Sequence, residues 1–73
     1  MKNISYQTFA TYIKDLRIQK KIKQKDMAKK LLTTPSRYSK IEGGYQEPTF
    51  VELQIICREL DINLNELFKK EAF

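Results

Sequence analysis

The chain has no histidine, no tryptophan, one cysteine, two glycines and two prolines among its 73 residues. Several classes of protein fall away with them. A zinc site would have no imidazole and a single thiolate, and Cys57 alone forms no internal disulfide, so it reads as a small core residue. With no histidine, no second cysteine and no glycine-rich phosphate loop, catalysis has no centre to work from. Neither an enzyme, a metal, a cofactor nor a small-molecule substrate is expected. No apolar run approaches the ~20 residues that cross a bilayer, and the N-terminus lacks a signal-peptide core. A cytoplasmic chain with no membrane partner is expected.

What is present is an ordinary globular composition, 41% apolar, in a chain close to the lower limit for folding without a staple. One domain, 1–73, is expected, and a second copy would add stability. The net charge of +5 is unevenly spread. Residues 1–40 carry eleven Lys and Arg against Asp15 and Asp26, a net +9, whereas residues 41–73 carry three against seven acids, a net −4. One half suits a polyanion and the other faces elsewhere. The plainer reading of the same charges is that lysines solvate helix faces.

The basic excess coincides with the most sharply punctuated segment, Thr34 to Gly44. Thr34 can cap a helix that Pro35 opens, and Gly43 and Gly44 are expected to close it with positive φ. Inside it, Tyr38 and Ile41 make one narrow apolar stripe, while Ser36, Arg37, Ser39 and Lys40 leave an outer face with no acid before Glu42. So short a helix is unstable alone and needs a scaffold.

Helical periodicity runs through the rest. A first helix from about Ser5 to Lys20 buries Phe9, Ile13 and Leu16, with Ala10 and Arg17 beside them, and Ile22 anchors the following turn. A second, about Gln24 to Leu31, buries Met27, Ala28 and Leu31 and exposes Lys25, Lys29 and Lys30. A fourth starts at Thr49, with Glu52 at capping-box spacing, and turns Phe50, Leu53, Ile56, Cys57 and Leu60 inward. A fifth, Leu64 to about Lys70, buries Leu64 and Leu67. The expected architecture is therefore all-α, five helices around one core.

The ordered pieces Leu16-Arg17, Ile22-Lys23-Gln24-Lys25-Asp26-Met27-Ala28 and Ser39-Lys40-Ile41-Glu42-Gly43-Gly44 resemble the Cro/C1-type (XRE-like) helix-turn-helix family. Pro48, Leu53, Leu60, Ile62-Asn63-Leu64 and Glu66-Leu67 continue the resemblance, which covers about residues 10 to 68. It implies a compact five-helix lambda-repressor-like domain, with the helix-turn-helix at about 24–43 and C-terminal helices at about 49–70. It also implies a bacterial or phage-type regulator of transcription whose partner is double-stranded DNA and whose third helix enters the major groove.

By the same resemblance Pro35, Ser36, Arg37 and Lys40 face the groove. Arg37 and Lys40 have the donors for guanine O6 and N7, Ser36 discriminates weakly, and Pro35 offers an apolar contact. A phosphate contact or a solvated charge is the other reading of Arg37 and Lys40. Gln24, through its backbone amide, and Thr34, Ser39, Tyr45 and Gln46 are implied contacts to the DNA backbone. Arg17 and Glu42 are an implied structural ion pair between the first and third helices.

The chain departs from the family at three places. Leu32 stands where the turn usually has glycine and is expected to reshape that turn. Thr33 replaces a buried aliphatic residue, and Glu47 adds an acid close to the implied DNA contacts. On the fourth helix Val51, Ile55 and Arg58 lie outside the expected core stripe. With Ile62 and Phe68 they form an expected homodimer surface matched to a two-fold operator. The leading function is a homodimeric repressor. The alternative is an antitoxin or protein-interaction module whose partner docks on that C-terminal surface.

Overall fold

Four α-helices run through residues 6–63, the part of the chain that the computed structural model describes: α1 (Tyr6–Gln19), α2 (Gln24–Lys30), α3 (Pro35–Glu42) and α4 (Phe50–Glu59). No strand occurs among the described residues. The expected fifth helix, with Leu64, Leu67 and Phe68, lies outside them. The other helices fall within a residue or two of their expected bounds, and the starts of α3 and α4 carry side-chain caps. Thr34 Oγ1 accepts the Arg37 amide at 3.1 Å to cap α3. Thr49 and Glu52 close a full capping box on α4, Thr49 Oγ1 accepting the Glu52 amide and Glu52 Oε1 accepting the Thr49 amide.

All four helices stop in the same way. In each, the residue after the C-cap takes a left-handed conformation: Lys21 (φ 60°), Leu32 (57°), Gly44 (82°) and Asp61 (57°). The amides of Ile22, Thr33, Tyr45 and Ile62 then reach back to the carbonyls of Arg17, Ala28, Lys40 and Cys57 at 3.1, 2.9, 2.9 and 2.8 Å. The left-handed residues themselves donate to Ile18, Lys29, Ile41 and Arg58. These are Schellman closures, in which the last carbonyls of a helix find donors within the turn. Two corners also send their following residue onto the core, as Ile22 and Ile62 do.

Only one of these corners uses glycine, and two expectations change as a result. Gly43 stays right-handed (φ −80°), so Gly44 alone supplies the positive φ. Leu32 does not reshape the turn; it adopts the φ a glycine would take and is 93% exposed. Ile62, expected on a partner surface, is half-buried and packs against the core. A left-handed leucine costs about 1–2 kcal/mol, partly offset by the greater entropy glycine loses on folding. Leu32→Gly is therefore expected to stabilise the protein by about 0.5–1 kcal/mol, read as a melting temperature several degrees higher. A lower melting temperature would mean that the leucine makes contacts worth more than its strain.

The core is built from Phe9, Ile13, Met27, Ala28, Leu31, Tyr38, Ile41, Ile56, Cys57 and Leu60, with Leu16, Leu53 and Ile55 packed at its edge. Burial pushes the Cys57 thiol above its ordinary pKa, which suits an inert core residue. Phe50 corrects the expected α4 stripe, because it is 69% exposed. It shares an azimuth with Cys57, two turns on, but occupies the first position of the helix, beyond the elements that cover the stripe. Periodicity gives the angle of a side chain and not the height at which its cover ends. Ile55 is corrected the other way: expected on an outer surface, it is half-buried on the flank of the core.

Candidate nucleic-acid interface

α3 is clamped by its inward residues. Tyr38 and Ile41 are fully buried, as the narrow apolar stripe requires. Glu42, at the last position, has a side chain only 1% exposed, and three donors surround its carboxylate. Arg17 Nε and Nη2 donate to it at 2.5 and 3.2 Å, and Gln24 Nε2 at 3.1 Å. Arg17 Nη1 also donates to the Ile22 carbonyl at 2.5 Å, so one guanidinium joins α1, the α1–α2 corner and the end of α3. The expected Arg17–Glu42 pair is thus part of a larger cluster. The side chain of Gln24 belongs to that cluster, which leaves only its backbone amide at the start of α2 for an anion.

Tyr6 adds a tie that the sequence reading did not contain. Its hydroxyl donates to the Ile41 carbonyl at 2.8 Å, and its pKa is pushed up to about 12, chiefly by burial. The Tyr38 hydroxyl is buried beside the Glu42 carboxylate; burial first, and then that carboxylate, keep it protonated.

The other end of α3 is held from α4. Arg37 Nη1 and Nη2 donate to Glu52 Oε2 and Oε1 at 2.5 and 2.9 Å, a bidentate fork between partly buried side chains, 26% and 13% exposed. Arg37 thus points toward α4 instead of standing free on the outer face. Nothing in the sequence spacing marked this pair, since Glu52 was already accounted for by its capping box. Its carboxyl is held below the ordinary value of 4.5, mainly by the Arg37 hydrogen bonds and also by the Thr49 amide, against the opposing effect of burial. A folded-state pKa below the unfolded one gives stability that is complete above about 4.5 and lost as pH falls through the depressed value. The melting temperature of wild type is therefore expected to fall more than that of Glu52→Gln between about pH 5 and pH 3. Equal losses would remove Glu52 from the acid response.

Between the clamps the outer face stays open. Pro35, Ser36, Ser39 and Lys40 are exposed, and the four-residue spacing of Ser36 and Lys40 sets them on one side of the helix. An open groove beside this face is lined by Ser39, Lys40, Tyr45 and Gln46. The ring of Tyr45 lies over Gly43, where a Cβ would come within 2.8 Å of its Cδ2. The absence of a side chain at Gly43 therefore seats Tyr45, whose amide is fixed by the Schellman bond to Lys40. Lys25, Lys29 and Lys30 are exposed on α2. The structure thus brings Ser39, Lys40, Tyr45 and Gln46 to one groove, with Ser36 one turn from Lys40 and Thr34 at the N-cap of α3.

Of the expected partner surface, Val51 (62% exposed) and Arg58 are exposed, Ile55 and Ile62 are turned to the core, and Phe68 lies outside the described residues. Phe50 takes their place beside Val51. Among the described residues no helix is long and apolar enough to cross a membrane.

Two packed helices, α2 and α3, joined by a tight corner and held by flanking helices, define a helix-turn-helix. Residues 11–72 match the family described as helix-turn-helix domain, and the chain belongs to that family in its XRE-like, Cro/C1-type form. The family is not one of enzymes. The chain is 39% identical over 64 residues to a Bacillus subtilis (strain 168) protein named uncharacterized HTH-type transcriptional regulator YqaE. The match takes in 88% of this chain and 55% of that protein, so the chain spans about half the length of the curated relative. Its fold is like that of the clp gene regulator ClgR from Corynebacterium glutamicum, with a TM-score of 0.79 at 17% identity over 99% of this chain and 77% of that one. That likeness is one of fold.

Proposed function

We propose that the chain is a sequence-specific regulator of transcription that binds double-stranded DNA, acting as a homodimeric repressor with α3 in the major groove. The observation that carries this reading is the outer face of α3, where Ser36 and Lys40 are exposed together while the only acid of the helix, Glu42, is buried. Lys40 can donate to guanine O6 and N7, Ser36 can donate or accept, and Pro35 can meet a thymine methyl. Thr34, Ser39, Tyr45, Gln46 and the backbone amide of Gln24 take the phosphates on either side and set the register. The excess of +9 over residues 1–40 supplies the long-range attraction. The regulator named among the relatives supports the same reading.

In this reading a second copy docks on Phe50 and Val51 with Arg58 at the rim, and two α3 helices read half-sites about 34 Å apart. The same exposed pair favours a second reading, in which a protein partner such as a toxin occupies it. Selecting bound duplexes from a random pool tests both. A regulator enriches a two-fold symmetric sequence, and its affinity falls with salt by about 0.9 log units per log unit for each phosphate neutralised. No enriched sequence, or a flat salt dependence, overturns the DNA reading. Sedimentation of the wild type against Val51→Glu tests the dimer, which the variant is expected to dissociate.

A further inference from the structure

Arg37 is the one cation of α3 that the structure engages within the protein. It stands three residues before Lys40, at the edge of the exposed face, and its backbone amide is committed to the Thr34 cap. Both of its terminal nitrogens are committed to Glu52. The end-on fork that an arginine offers to a guanine edge is the same fork that it offers to a carboxylate. Glu52 itself is fixed before any ligand arrives, because its Oε1 also accepts the Thr49 amide at 2.9 Å. The carboxylate therefore meets Arg37 as a rigid and already oriented acceptor.

We propose that Glu52 is a positioning residue for DNA binding, holding the Arg37 fork against α4 and withholding it from the duplex. The proposal rests on the DNA reading above and deepens it. Base and phosphate contacts then fall to Ser36, Lys40 and the backbone-contacting residues. Arg37 acts as a reserve cation, kept from adding affinity that does not depend on sequence. An ion that neutralises one more phosphate steepens the salt slope by about 0.9, which at 0.1 M salt is about an eightfold gain in affinity over the 1 M reference. Release of Arg37 has that size.

The test measures fluorescence anisotropy of a labelled mixed-sequence duplex against the full chain, at several salt concentrations, for wild type, Glu52→Gln, Arg37→Gln and the double variant. Glutamine at position 52 keeps the capping box, so the start of α4 is retained. Glu52→Gln is expected to bind about eightfold more tightly at 0.1 M salt, with a slope steeper by about 0.9. Arg37→Gln alone is expected to stay within about twofold of wild type, and adding it to Glu52→Gln to cancel the gain. An unchanged slope in Glu52→Gln overturns the proposal. So does a loss of about eightfold in Arg37→Gln alone, which would mean that Arg37 already touches DNA in the wild type. The second result decides the matter even where Glu52→Gln fails to fold. A wild type that binds no duplex at low salt defeats the DNA reading itself, whereas a wild type that binds beside an unchanged Glu52→Gln defeats only the role of Glu52.

Discussion

Arg17→Ala is expected to cost this protein about 3–5 kcal/mol, a large share of its stability. The substitution strands the Glu42 carboxylate, 1% exposed, with only the neutral Gln24 amide and the nearby Tyr38 hydroxyl to meet it, and frees the Ile22 carbonyl at the α1–α2 corner. Breaking a buried pair from one side costs about 3–5 kcal/mol, since the remaining charge has lost its partner and cannot reach water. A chain of this size holds roughly 4–11 kcal/mol in total. The urea midpoint should therefore fall by at least about a quarter of its wild-type value, and by all of it where the total lies at the low end of that range. The paired replacement Arg17→Met with Glu42→Leu should recover much of the loss, because it removes the buried charge as well as its partner. A single variant that melts like wild type would mean that Glu42 finds another cation or is reached by water.

The second large effect concerns binding. Lys40→Ala is expected to cost about 1–3 kcal/mol with the selected duplex, roughly a five- to 150-fold loss of affinity, and to relax the preference at one base pair. Stability should be unchanged, since Lys40 is exposed and its backbone keeps the Schellman bond from Tyr45. Anisotropy titrations with the selected duplex and a scrambled one check this. Equal losses on the two duplexes, with a salt slope reduced by about 0.9, would assign Lys40 to a phosphate instead of a base.

Much of this arrangement was legible in the sequence, and what escaped has a common cause. Local signals mark helix starts, so Thr34, Pro35 and the Thr49/Glu52 box located α3 and α4 well. The stripe of Tyr38 and Ile41, and the pairing of Arg17 with Glu42, were legible from periodicity and from the family resemblance. The helix ends were less so, because three left-handed corners carry Lys21, Leu32 and Asp61, residues that do not advertise the conformation they adopt. Two contacts over long separations that the resemblance did not carry were missed: Tyr6 to the Ile41 carbonyl and Arg37 to Glu52 depend on how helices are laid together, which no spacing within one helix encodes. Phe50 and Ile55 exchanged roles for the same reason, since a hydrophobic pattern does not say where the neighbouring helix stops. Among the candidate site residues, Ser36, Ser39, Lys40, Tyr45 and Gln46 are exposed.

Mechanically, α3 is a beam fixed at both supports: its first turn is bolted to α4 through Arg37 and Glu52, and its last residue to α1 through Glu42 and Arg17. A beam held at one end could roll about its axis and present a different line of side chains. Held at two, it cannot roll without breaking an ion pair. Changes of target would therefore come from rewriting positions such as 36 and 40 in the span, where no bolt is set, while the angle at which the span is offered stays that of the frame.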